Sequence, residues 1–130
     1  EFVQKIQASM VKAAPLGLDS ELASMGASLV KGQKILELYS SFAKDKKFNN
    51  ILSSTMDFLN FCGNIIISWR LLDGAIKAQA ALSSCSAEDK KYYESKIMDF
   101  KVYCQHYLTR NVGITHSILN FDQDLTSIEL

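Results

Sequence analysis

From Phe48 to Ala81 apolar residues recur every third or fourth position, with no proline to interrupt them. Ile51, Phe58, Cys62, Ile65, Trp69, Leu72 and Ile76 form one row; Leu52, Leu59, Ile66 and Ala80 form an adjoining one. Together they make a stripe wider than the seam of a two-stranded coiled coil. The spacing predicts a single helix over 48–81, roughly 50 Å long at 1.5 Å per residue. A helix apolar on two rows needs neighbours on more than one side. Those neighbours are expected before and after it in sequence, with any surplus apolar surface facing a partner outside the bundle.

The flanking segments carry the same rhythm. Phe2, Ile6, Met10 and Ala13 predict a short amphipathic helix, ended by Pro15 and Gly17. Asp19 or Ser20 is expected to cap a second helix running to about Lys44, with Glu21 favourable in its first turn. Its core row is Leu22, Met25, Leu29, Leu36, Tyr39 and Ala43, widened by Ile35, Leu38 and Phe42. Gly32 lies on that row and costs about 1 kcal/mol against alanine, which predicts close approach of a neighbour there. Lys44-Asp45-Lys46-Lys47 suits a helix end; it lacks the interleaved aromatics of a nucleic-acid patch.

After the long central helix, Ser86 with Asp89 has the capping-box arrangement. A last helix is predicted from about Ala87 to Ile118 or Leu119. Tyr93, Ile97, Phe100, Cys104, Tyr107, Ile114 and Ile118 hold its core row, Asn111 is the polar exception, and Gly113 is a candidate bend or early end. The tail, Asn120 to Leu130, is expected to be frayed or docked. No strand-like alternation competes. Long helices with short connections predict an all-α, up-down bundle of about four helices, three long and one shorter and N-terminal. Residues 1–18 are expected to end a preceding region or form a first helix, and residues 19–130 to form the bundle domain.

Composition narrows the function. The 130 residues are 48% apolar, enough for one sizeable core. Fourteen basic and 14 acidic residues cancel, so no overall field favours nucleic acid or anionic lipid, and neutrality gives little protection against self-association. Cys62, Cys85 and Cys104 lack close spacing, and Cys62 and Cys104 lie on apolar rows, which suits reduced thiols and a cytoplasmic setting better than a disulfide framework. No apolar run approaches the ~20 residues of a membrane span. The chain opens at Glu1-Phe2, already in helical pattern and without methionine, as expected of a piece of something longer.

Candidate chemistry resolves into structural roles. His106 and His116 are ten residues apart, roughly 80° off a shared helix face, so they do not share a metal. Asp57, Asp73 and Asp99 lie beside apolar rows, where pairing with cations one turn away is expected: Asp73 with Arg70 or Lys77, Asp99 with Lys96. Cys62 and Cys104 as nucleophiles would need a nearby base and an electropositive pocket, and nothing in the sequence shows one. Trp69, Tyr92, Tyr93, Tyr103 and Tyr107 could line a ligand pocket, but aromatics at helical spacing usually fill core. Phe58, Cys62, Trp69, Phe100 and Cys104 are the expected heart of the core. No catalytic, cofactor-binding or metal-ligating residue is assigned.

Phe58-Leu59, Cys62-Gly63, Trp69 and Ala75, within the stretch from Phe58 to Ala75, resemble the acyl-CoA dehydrogenase C-terminal-like domain. Lys96 to Leu108 is similar to that family's final helix, and the likeness spans roughly Ser20 to Leu119. The resemblance implies a helical extension of a longer, FAD-dependent acyl-CoA dehydrogenase of fatty acid metabolism. Such a parent removes hydrogens from the α and β carbons of an acyl-CoA, using a glutamate and flavin contacts in its upstream core. By that resemblance the chain is inactive alone, partners the dehydrogenase core of the same polypeptide and supports a homo-oligomer. The alternatives are a stand-alone helical interaction module and an acyl-ligand-binding bundle.

Overall fold

A computed structural model describes residues 1–129 of the chain. Helix α1 (Phe2–Ala13) passes through a 3₁₀ turn (Ala14–Leu16) to α2 (Asp19–Lys44). A short α3 (Phe48–Ser53) precedes the longest helix, α4 (Thr55–Leu82). Helix α5 (Ala87–Tyr103) continues through a π turn (Cys104–Leu108) into α6 (Arg110–Leu119). Among the described residues there is no strand. Taken as rods, α1, α2, α4 and the α5–α6 unit run up and down in turn. Tyr39 meets Ser54 while Gly32 meets Phe61, an antiparallel pairing. Asn64 meets Asn111 while Asn111 meets Ser28, which sets the last rod beside both α2 and α4. This is the expected all-α bundle of four rods.

The ends of α1 and α2 follow from turn chemistry. Pro15 lies in the 3₁₀ turn and Gly17 takes φ +73°, as the sequence predicts. Helix α2 starts one residue early: Leu18 occupies the N-cap and neither Asp19 nor Ser20 caps by side chain. Leu18 is only 2% exposed, so burying it decides where the helix begins. Asp19 and Glu21 still face the positive helix end from the first turn. At the other end Lys46 adopts φ +58°, Lys46 N donates to Ala43 O (3.2 Å) and Lys47 N donates to Phe42 O (2.8 Å). This is a Schellman motif with lysine where glycine is usual.

The predicted single helix over 48–81 is two. Ser53, Ser54 and Thr55 turn their hydroxyls onto the carbonyls of Asn50 and Ile51 (2.8, 3.4 and 3.0 Å), offering the backbone an alternative to the helical ladder. Tyr39 then shares a 2.6 Å hydrogen bond with Ser54 Oγ and holds the break against α2.

The last helix departs from expectation in a different way. Its break is not at exposed Gly113 but at the π turn from Cys104 to Leu108. A π turn inserts a residue and rotates the helix beyond it. The inward row therefore runs Phe100, Cys104, Leu108, Asn111, Thr115, Ile118, and Tyr107 stays 43% exposed on the outside. Ile114 is half-buried at the edge of the core.

The buried heart is Ile6, Met25, Ile35, Phe61, Leu72, Phe100, Cys104 and Leu108. Phe100 and Cys104 are placed as expected; Phe58, Cys62 and Trp69 are half-buried and pack on its margin. The Cβ position of Gly32 lies 3.2 Å from Phe61 Cε1, the close approach predicted for that glycine. The second expected row of the long helix is displaced. Leu52, Leu59, Ile66 and Ala80 are exposed, and Phe61, Ser68, Ala75 and Ala78 take the inner positions instead. The tail is docked on α3 through Asn49 and Asn50 as far as Ile128, and Leu130 lies outside the described residues.

Candidate docking surface

Inside the bundle, a polar network ties the three long rods together. Asn111 is fully buried; its Nδ2 donates to Phe61 O (3.2 Å) and reaches Ser28 Oγ at 3.5 Å, and its Oδ1 accepts from Asn64 Nδ2 (2.9 Å). Tyr103 donates to Asn64 Oδ1 (3.2 Å), and Thr115 donates to Asn111 O (2.6 Å). Every buried side-chain polar atom among the described residues has a partner. Sequence reasoning noted Asn111 only as an exception. Its link to Asn64 across 47 residues had no local signal.

A second network joins α1 to α4. Trp69 Nε1 donates to Ser9 Oγ (2.9 Å), Ser9 donates to Asp73 Oδ1 (2.8 Å), and Arg70 pairs with Asp73 Oδ2 (3.3 Å). Asp73 thus finds Arg70, one of its two expected partners. Phe2 meets the Trp69 ring edge-on with centroids 5.4 Å apart, and Arg70 lies over the ring at 5.4 Å. Trp69 is therefore a clasp between α1 and α4 and not a core centre. The expected Asp99–Lys96 pair does not form; Lys96 lies over the Tyr92 ring at 5.1 Å. Tyr103 stacks on Tyr107 (5.0 Å) and Tyr92 meets Tyr93 edge-on (5.4 Å), so these tyrosines pair along α5 and its π turn and do not join Trp69 in one pocket. His106, His116 and Asp57 are exposed. Among the described residues no three His, Cys, Asp or Glu side chains gather closely enough to hold a metal.

The Cys104 thiol is shielded, and Cys62 and Cys85 are half-buried. Burial pushes Cys104 up to about 12, opposed only in part by a hydrogen bond with Ser68, and burial raises Cys62 too. Burial also raises the Tyr39 and Tyr103 hydroxyls. These groups stay neutral at ordinary pH and act as packing.

What the bundle offers outward is apolar surface. Between α1, α2 and α4 lies a cleft of about 190 Å³, lined by Phe2, Val3, Leu36, Phe58, Cys62 and Ile65 among others. Its lip residues Phe2, Val3 and Leu36 are 47, 46 and 50% exposed. Along the outer face of α4, Met56, Leu59, Ile66 and Ile67 are also largely exposed. Gly63 and Gly74 share that face, eleven residues or about three turns apart, and a Cβ on either would meet nothing. No described helix is long and apolar enough to cross a membrane.

A family model described as acetyl-CoA dehydrogenase C-terminal like matches residues 2–129. The chain belongs to this family. The match takes in α1 as well as the rest of the bundle, and so extends past the Ser20–Leu119 span of the resemblance read in the sequence. Comparisons with curated proteins and with solved structures find no match. For the acetyl-CoA dehydrogenase C-terminal-like domain, the geometry offers helix faces, an open groove of about 530 Å³ between α1 and α4 beside Trp69 and Asp73, and the small apolar cleft. That cleft is below the ~300 Å³ where small-ligand sites usually begin, and it fits no dinucleotide.

Proposed function

We propose that the chain is the C-terminal helical domain of a flavin-dependent acyl-CoA dehydrogenase, packing on the dehydrogenase core and supporting its dimer. The family match over residues 2–129 carries this reading. FAD and the acyl-CoA belong to the core in this reading, and the chain's contribution is burial. At ~25 cal/mol per Å², several hundred Å² of apolar contact supplies several kcal/mol before the cost of association. The exposed lip of Val3 and Leu36, with the side of Phe2 turned away from Trp69, suits such a contact, since exposed apolar surface of this kind marks an interaction face.

The test is a visible spectrum and a dye-linked acyl-CoA oxidation assay on the native protein that carries this chain. A flavin band and acyl-CoA-dependent reduction are expected, and Leu36→Asp should lower the melting point of that flavoprotein by several degrees. A native protein without flavin overturns the reading.

A further inference from the structure

We infer that the outer face of α4 is a two-fold interface between copies of this chain, with Gly63 at the axis. The inference rests on the proposed support of a dimer and names the surface that provides it.

Glycine within a helix costs about 1 kcal/mol against alanine, and the bundle shows how that cost is offset. At Gly32, which faces inward, the Phe61 ring occupies the space a side chain would take. Gly63 lies at the same kind of position but faces outward, where nothing comes within 4 Å. Apolar side chains flank it on both sides: Met56 and Leu59 before, 70 and 58% exposed, and Ile66 and Ile67 after, 40 and 46% exposed. A notch between exposed apolar ridges admits a closely approaching helix.

The order of residues says which helix. In an antiparallel pair of α4 helices crossing at Gly63, each position before the glycine meets the one equally far after it. Leu59 then meets Ile67 twice, once on each side of the axis, and Asn60 meets Ile66. Met56 meets Arg70, whose aliphatic stem covers apolar surface while its guanidinium stays on Asp73. Arg70 is the charged residue on the outer face between Met56 and Arg70, Asp57 lying on another side of the helix, and the antiparallel arrangement separates the two copies of Arg70 by roughly 20 Å. A parallel pair would set them side by side. The arrangement is self-complementary, as a two-fold contact requires. A chain with no net charge opposes it weakly. The four exposed side chains on each copy amount to roughly 600–800 Å² of apolar area in the pair, short of the ~1,000 Å² of a stable interface, so the contact is a weak, transient one with association in the micromolar range.

Analytical ultracentrifugation of the full 130-residue chain tests this. The wild type should reach dimer in the micromolar range, and Leu59→Asp or Ile66→Asp should weaken dimerisation at least tenfold with the helical signal unchanged. Gly63→Ala separates folding from association. It should raise the melting point of the dilute monomer, because its Cβ meets nothing, yet weaken the dimer. On a Cys62→Ser background, Gly63→Cys should cross-link to itself on oxidation and Gly113→Cys should not. A chain monomeric at high micromolar concentration overturns the inference, as does a dimer indifferent to Leu59→Asp in which Gly63→Cys does not self-link. Either result leaves the dehydrogenase reading to stand on its flavin test.

Discussion

Asn111 concentrates the cost of a wrong side chain. It joins α6 to α4 and α2 through three partners, the contacts to Ser28 and Phe61 fully buried and that to Asn64 partly so. Asn111→Ala leaves Asn64 and the Phe61 carbonyl short of partners and opens a small void. A loss of about 2–4 kcal/mol is expected in a urea melt; less than about 1 kcal/mol would show that water replaces the amide. Cys104 contributes to the alkaline limit. Its folded value, about 12, lies above that of an exposed thiol, so the unfolded chain loses its proton first as pH rises. Stability from this group is complete below about pH 8.5 and is lost progressively as pH rises from there toward about 12. Cys62, Tyr39 and Tyr103 shift the same way. Denaturant midpoints measured from about pH 8 to 11 should fall, and fall less in Cys104→Ala when each is compared with its own value at the lower pH.

At the scale of elements, stops were easier to read than interruptions. Pro15 with Gly17, the lysine-rich end of α2 and the Ser86 cap were all legible, because each acts through its own few residues. Ser86 Oγ accepts from Asp89 N at 3.2 Å, as its position predicts. The break at Ser54 had a local cause in the Ser-Ser-Thr run, yet Tyr39, fifteen residues earlier, is what holds it. The π turn had no such signal, since its extra residue serves the distant partners of Asn111. Lys46 at φ +58° carries a cost that glycine avoids, so Lys46→Gly should stabilise by about 0.5–1 kcal/mol, read as a raised melting midpoint. The tail is a further element decided by contact. Asn50 donates to Gln123 O (2.9 Å) and accepts from Leu125 N (3.1 Å), and Lys47 pairs with Asp124 at 3.3 Å. Hydrogen bonds from Thr126 hold Asp124 down at about 2. Its contribution is present above about pH 4 and lost as pH falls through about 2. The protection of the Leu125 and Thr126 amides, measured against the intrinsic exchange rate at the same pH, should therefore fall in acid before the bundle opens, and a tail equally protected at about pH 2 would contradict this.

For the whole molecule, the decisive question is which of two apolar rows faces in. Ile65 and Ile66 are neighbours in sequence, 6 and 40% exposed. Ile65→Asp should unfold the chain or cost at least about 4 kcal/mol, because it buries an unpaired carboxylate. Ile66→Asp should change the dilute monomer's stability by less than about 0.5 kcal/mol, with circular dichroism melts as the measure.

The sequence by itself determined the all-α class, the number of rods, their turns and their family, because periodicity, capping and turn chemistry act over a few residues. It also required a close neighbour at Gly32. Only the tertiary structure decided that Phe61 is that neighbour, that Trp69 clasps α1, that Leu108 replaces Tyr107 in the core, and that Leu59 and Ile66 are left outside. Burial of an apolar row is a property of contacts between distant segments. Two equally apolar rows on one helix are told apart only once the other helices are in place.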